Sequence, residues 1–169
     1  GKGDGMRLLE VDNGNGLAFT VSLDRCADLS RVSFRGNNFG FFGPCGYVAP
    51  QFYDPNGLGF LKSFTGGLMT TCGLTNVGNP NVDEGEELPL HGRISHTPAE
   101  NVNFWTDEGG QHISAQMRES RLFGDHLLLK REIFCPKGEN GIKITDTIVN
   151  DGVKTSPLML LYHCNMGYP

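Results

Sequence analysis

Apolar and polar residues alternate along much of the second half of the chain. Ile113, Ala115 and Met117 are separated by His112, Ser114 and Gln116, the period of two that marks a half-buried strand. An apolar run over residues 127–134 follows and ends at the turn sequence Pro136-Lys137-Gly138-Glu139-Asn140-Gly141. Ile142, Ile144 and Ile148 then alternate with Lys143, Thr145 and Thr147, Asn150-Asp151-Gly152 turns the chain again, and residues 158–165 read as the next strand. Near the start, residues 6–11 and 17–23 flank Asn13-Gly14-Asn15-Gly16. Both residue types tolerate positive φ, so the stretch predicts a hairpin.

The middle of the chain is less regular. Residues 37–55 are rich in Gly, Pro and aromatic side chains and predict loop with one short strand. Leu58, Leu61 and Phe64 recur every third residue, which predicts a single short helix before Gly66-Gly67. The Gly, Asn and acidic stretch 73–87 reads as a long loop, and a loop of that length inside a domain is often functional. Strands joined by tight turns give antiparallel sheets, so the expected class is all-β, a sandwich or barrel.

Composition sharpens this in three ways. With 169 residues, 38% of them hydrophobic, the chain is sized for one domain over residues 1–169 with its own core. Its 24 glycines and nine prolines suit many turns and follow no repeat period. The strand at 158–165 has no tail after it and would leave an apolar edge uncovered, so the sandwich is expected to be incomplete, a piece of a longer protein. A net charge of -5 without clustered Lys and Arg argues against nucleic acid; Lys130-Arg131 reads as a solvated strand face. No run approaches the ~20 apolar residues of a membrane helix. Cys26, Cys45, Cys72, Cys135 and Cys164 are odd in number and lack metal-ligand spacing, which points to reduced thiols and a cytoplasmic protein without a metal site. A homo-oligomer stays open.

Two stretches carry a family resemblance. Leu88-Pro89-Leu90-His91-Gly92-Arg93-Ile94-Ser95 resembles the Leu-His-Gly segment of galactose mutarotases and related aldose 1-epimerases, and Leu161-Tyr162-His163-Cys164-Asn165-Met166-Gly167 resembles a later strand of that family. Asp24-Arg25-Cys26-Ala27-Asp28, Phe64-Thr65-Gly66-Gly67-Leu68 and Thr70-Thr71-Cys72-Gly73-Leu74 are similar to signatures of a bacterial subgroup of unassigned function. The resemblance implies a galactose mutarotase-like supersandwich that extends past both ends of this chain. It implies a monosaccharide or sugar-acid ligand and no cofactor. Interconverting anomers needs an acid at the ring oxygen and a base at the anomeric hydroxyl. A histidine that titrates near neutrality suits the acid role. The resemblance puts His163 there and has His91 bond a sugar hydroxyl. The base, a glutamate in that family, would lie beyond Pro169, so the chain alone is expected to be inactive and a longer parent active.

One departure concerns the substrate. The family's Asn-Arg pair ahead of the Leu-His-Gly segment is replaced by Gly66-Gly67-Leu68-Met69-Thr70-Thr71. Arg93 or Arg25 is then the expected guanidinium, whose planar fork suits vicinal hydroxyls or a carboxylate. Asn165 lies two residues from His163 and shares its strand face. Blander readings compete: His163 as a hydrogen-bonded core histidine, His91 as a turn histidine, Arg25 as a surface ion pair with Asp24 or Asp28, Trp105 or Phe104 as packing instead of a stacking platform. Zinc at His91, His96 and His163 matches no common ligand spacing, and Cys72 and Cys164 read as packing. Three function classes stay in play: a mutarotase-like isomerase, a sugar-binding module without catalysis, and another isomerase or lyase on the same sandwich.

Overall fold

The computed structural model of the chain describes residues 1–167. The predicted hairpin is present as β1 (Leu8–Asp12) and β2 (Leu17–Ser22), paired antiparallel with Val11 opposite Phe19. Two more strands, β3 (Asp28–Phe34) and β4 (Asn37–Asn38), complete a first sheet in the order β1-β2-β3-β4. Short ribbons follow. β5 (Phe41–Phe42) pairs with β6 (Gly66–Gly67), and β7 (Met69–Leu74) follows at once. Between them the expected helix shrinks to a 3-10 turn at Gly59–Lys62. The stretch read as a long loop contains a hairpin, β8 (Asn81–Asp83) with β9 (Glu86–Leu88), turned by Glu84-Gly85 with both φ values positive, +47° and +82°. A two-residue turn of that kind matches the twist of its strands; the acidic residues around it hid the signal.

The second sheet, β10 (Glu100–Thr106), β11 (Gly110–Ser120), β12 (His126–Pro136) and β13 (Lys143–Asn150), is an antiparallel meander. Its register explains the alternation in the sequence. Ile113, Ile133 and Ile144 form one cross-strand row, and Met117, Leu129 and Ile148 another. These rows merge with Phe19, Val21, Leu29 and Val32 of the first sheet in a single core. Each fully buried aliphatic side chain there contributes about 1.5–3 kcal/mol. The chain is an all-β antiparallel sandwich, as the pattern required.

Two expectations change. The last strand, β14 (Met159–Cys164), does not continue the meander but crosses to pair antiparallel with β7, Leu161 facing Cys72 and His163 facing Thr70. Arg131, read from sequence as solvated, is 1% exposed. Strand parity decides it. Lys130 points out, while Arg131 takes its place in the inward row Leu127, Leu129, Ile133, Cys135. It lies between Ala115, whose small side chain leaves room, and Asp146 on β13. Its Nε and Nη2 donate to the two oxygens of Asp146 at 2.9 and 2.7 Å, and Nη1 donates to Asp28 at 2.7 Å. Thr71 Oγ1 accepts from Nη2 at 2.8 Å, and the Tyr162 hydroxyl donates to Asp146 at 2.8 Å. Burial opposes the Arg131 charge, but the bonds and charges of Asp146 and Asp28 overcome it and hold the guanidinium above its ordinary pKa.

Among the described residues no helix is long and apolar enough to cross a membrane.

Candidate functional site

The β7–β14 ribbon has two faces. Thr71 and Tyr162 look inward to Arg131, so Thr70, Cys72, Leu161 and His163 look the other way. That outer face meets a small second core in which Phe60, Cys72 and Leu90 are buried and Phe64 and Val77 pack around them. The 3-10 turn delivers Phe60, the segment just after it delivers Phe64, and the loop after β9 delivers His91.

His91 owes its position to backbone geometry. Its φ is +58° and that of Gly92 is +73°, two consecutive left-handed residues. A Cβ on Gly92 would lie 2.3 Å from the Gly73 carbonyl oxygen, so the sequence needs glycine there. The loop is locked to β7 and its neighbours by hydrogen bonds from Gly73 N–H to the His91 carbonyl (3.0 Å), from Arg93 N–H to the Gly73 carbonyl (3.0 Å) and from His91 N–H to the Gly78 carbonyl (2.9 Å). These offset the ~1–2 kcal/mol that a non-glycine residue pays in this conformation.

The rings of His91 and His163 meet edge to face, with centroids 5.6 Å apart. Phe60 sits 5.4 Å from His91, and Phe64 sits 5.4 Å from His163, both edge to face. His91 Nδ1 accepts the Gly78 N–H at 3.3 Å, which assigns its proton to Nε2. Burial, and then the neighbouring His163, lower its pKa below the usual histidine value. At neutral pH it is a neutral ring that offers an N–H donor. His163 is half-buried, and its Nδ1 is enclosed without any hydrogen-bond partner. A buried polar atom left unpaired costs about 1–3 kcal/mol, a state His163 Nδ1 shares with Ser22 Oγ, Asn76 Oδ1 and Gln111 Oε1.

The other residues singled out from sequence fall elsewhere. Arg25 is buried and spends its donors inside the protein: Nε on the Ser95 carbonyl, Nη1 on the Val48 and Ser63 carbonyls, and Nη2 on His96 Nε2 at 3.0 Å. It makes no ion pair with Asp24, which binds Arg7, or with Asp28, which binds Arg131. Burial lowers its pKa to about 10, so it stays charged at neutral pH. His96 stacks on Tyr53 at 3.8 Å and has both ring nitrogens engaged, with Ser95 on one and Ser63 and Arg25 on the other. Burial and the Arg25 charge push its pKa down to about 2. Among the described residues no group of three His, Cys, Asp or Glu could hold a metal ion. Asn165 directs its amide to the carbonyls of Gly67 and His163 at 3.1 and 3.0 Å and so braces the strand end below the ring. Arg93 lies two residues beyond His91, bonded to the Glu87 carbonyl at 3.0 Å and paired with Glu86. Trp105 stacks on His112 at 4.9 Å on the far sheet.

Sequence reasoning missed Phe60 and Phe64 as the walls of the histidine pair. Phe64 was assigned to a helix stripe and Phe60 to nothing, because a 3-10 turn carries no amphipathic period that separates them from loop residues.

Comparison with known proteins places this geometry in context. A family model described as "Domain of unknown function (DUF4432)" matches residues 3–169. The fold is similar to a crystal structure from Klebsiella pneumoniae subsp. pneumoniae MGH 78578 whose description reads "putative aldose 1-epimerase", with a TM-score of 0.90 and 28% sequence identity. The match covers 100% of this chain and 46% of that one, so this chain spans about half the length of the solved structure it resembles. No curated protein matches its sequence.

Proposed function

The chain belongs to the DUF4432 family, and from that premise we propose that it forms one wall of a sugar site with aldose 1-epimerase-like chemistry. In this reading His163 is the general acid toward the ring oxygen of an aldose, and His91 donates Nε2–H to a sugar hydroxyl. The observation that carries it is the half-buried His91–His163 pair with its unspent ring nitrogens. The similarity to a protein described as an aldose 1-epimerase supports the same ligand class.

The acid step needs a proton on His163 and a path for it to the substrate. Phe60 and Phe64 supply the apolar surroundings that strengthen a hydrogen bond inside the site. His91, held neutral, adds polarity without a second positive charge to repel a protonated His163. Among the described residues no carboxylate hydrogen-bonds either ring. In this reading the complementary base comes from outside the chain, and the chain alone binds sugar without turnover.

The test has two readouts. Chemical shifts of the His163 ring are followed while the chain is titrated with a panel of aldoses, and exchange between α and β anomers is followed with the longer parent. A sugar-specific shift that disappears in His91→Ala supports the contact assignment. Unaltered anomer exchange across the panel sinks the isomerase reading and leaves a sugar-binding sandwich. No shift with any sugar removes both.

A further inference from the structure

The β8–β9 hairpin closes over a cleft of about 920 Å³. The cleft is lined in part by Arg93, Arg121, Lys154, Glu86, Glu119 and Asp125. It is not the histidine pocket, because neither His91 nor His163 lines it, but the two adjoin through a single loop. That loop carries His91 on one side of Gly92 and Arg93 on the other.

The ion pairs in this cleft are arranged around one side chain. Glu86 Oε1 lies 3.3 Å from Arg93 Nη2, and Glu86 Oε2 lies 2.8 Å from Arg121 Nη1. One carboxylate thus spans two guanidinium groups that come from different parts of the chain, the His91 loop and the end of β11. Among the described residues it is the only carboxylate within ion-pair distance of either arginine. Each guanidinium reaches the carboxylate through a single nitrogen, and two positive groups facing one carboxylate can hold the carboxylate of a ligand in its place.

The carboxylate that fills it sits on a weakly held element. Every β8 residue is exposed, no β9 residue is buried, and the two strands pair only with each other. Glu86 is one-third exposed, in the range where an ion pair contributes little. The arginines are tied through their backbone: Arg93 follows the locked His91-Gly92 step, and the Arg121 N–H donates to the Asp125 carbonyl at 3.0 Å. Their side chains have few other partners, Arg93 Nη2 holding the Glu87 carbonyl and Arg121 being 61% exposed. A ligand carboxylate can take the place of Glu86 while the backbone that carries both arginines stays fixed.

We propose that Arg93 and Arg121 form a carboxylate subsite for an acidic sugar, which Glu86 occupies in the ligand-free protein as an internal competitor. The inference rests on the sugar reading of the adjoining histidines for the rest of the ligand and names its class as a sugar acid. The cleft's other charges refine that class. Asp83, Glu84, Glu119 and Asp125 line the same cleft, and their negative field opposes a phosphate dianion more strongly than a single carboxylate.

The experiment is a calorimetric titration of the protein with D-glucuronate, D-glucose and D-glucose 6-phosphate, with His163 ring shifts recorded in parallel. Glucuronate should bind tighter than the other two. Glu86→Gln should tighten glucuronate about three- to tenfold and leave glucose unchanged, since it removes the competitor but no ligand contact. Arg121→Gln should erase the preference for glucuronate. Glucuronate binding no tighter than glucose, or unmoved by Glu86→Gln in a protein that keeps its circular dichroism, overturns the subsite. Tighter binding of the phosphate overturns the carboxylate assignment. The glucose arm separates the two readings. Arginine-dependent glucuronate binding without any His163 shift keeps the anion subsite and removes the histidine site.

Discussion

The two faces of the β7–β14 ribbon place polar groups in the interior by opposite rules. On the inner face Thr71 and Tyr162 join Asp28, Arg131 and Asp146 in a network in which both carboxylates are shared and all three guanidinium nitrogens of Arg131 are occupied. On the outer face His163, one residue along the same strand, has a buried nitrogen with no partner, and His91 beside it keeps a free donor. The inner network is complete and has no room for a ligand. The outer pair is incomplete by one hydrogen-bonding partner. Completeness, more than burial or residue type, separates the structural polar cluster from the candidate site.

Mutations should split along that line. Arg131→Met leaves two buried carboxylates without a counter-charge, and we expect a loss of about 3–5 kcal/mol in urea unfolding. A variant as stable as the parent would mean that the network is dispensable. Lowering the pH should weaken the fold through His96. An unfolded histidine takes up its proton near 6.5, whereas His96 in the fold resists protonation until about 2. Between those values the unfolded chain binds more protons, so stability is complete above about pH 6.5 and falls as the pH drops through the window. By pH 5 the loss from this one group should be about 2 kcal/mol, and His96→Gln should flatten the profile. Tyr162→Phe deletes one bond at the rim of the Arg131 network and should cost about 1 kcal/mol. His163→Phe should cost the least, under ~1 kcal/mol, because the ring keeps its packing and gives up no hydrogen bond. It should nevertheless abolish any sugar-induced shift at the outer face.

Much of this division could be read in the sequence, and the failures are specific. The β11–β13 part of the meander was legible because neighbouring strands pair locally, and the alternation around Ile113 and Ile144 states which side is inward. Arg131 shows where the reading stopped. Its parity with Leu129 and Ile133 already placed it inside, but a charged residue argued for water, and its partners Asp28 and Asp146 are fixed only by the fold. The pairing of β14 with β7 was not legible, since it joins residues about ninety positions apart and no local turn announces it. His91 and His163 were found through their resemblance to a family, and the left-handed His91-Gly92 step now gives the physical reason for the His-Gly pairing. For Arg25 the sequence left a sugar-site guanidinium and a surface ion pair as alternatives; the ion pair is absent, and its partners are the Ser95, Val48 and Ser63 carbonyls and His96 Nε2.

The Arg131 network also carries a message about the order in which the chain folds. Its members lie far apart along the polypeptide, Asp28 and Arg131 being 103 residues from each other. Closing so large a loop costs entropy that nothing repays until both sheets are in place. On a growing chain Asp28 must stay hydrated while more than half of the sequence is made. The β11–β12–β13 meander needs only short-range contacts and can form on its own account. We expect it to be the first part to resist hydrogen exchange after refolding begins, with the amide of Thr71, bonded to Asp28 at 2.8 Å, among the last.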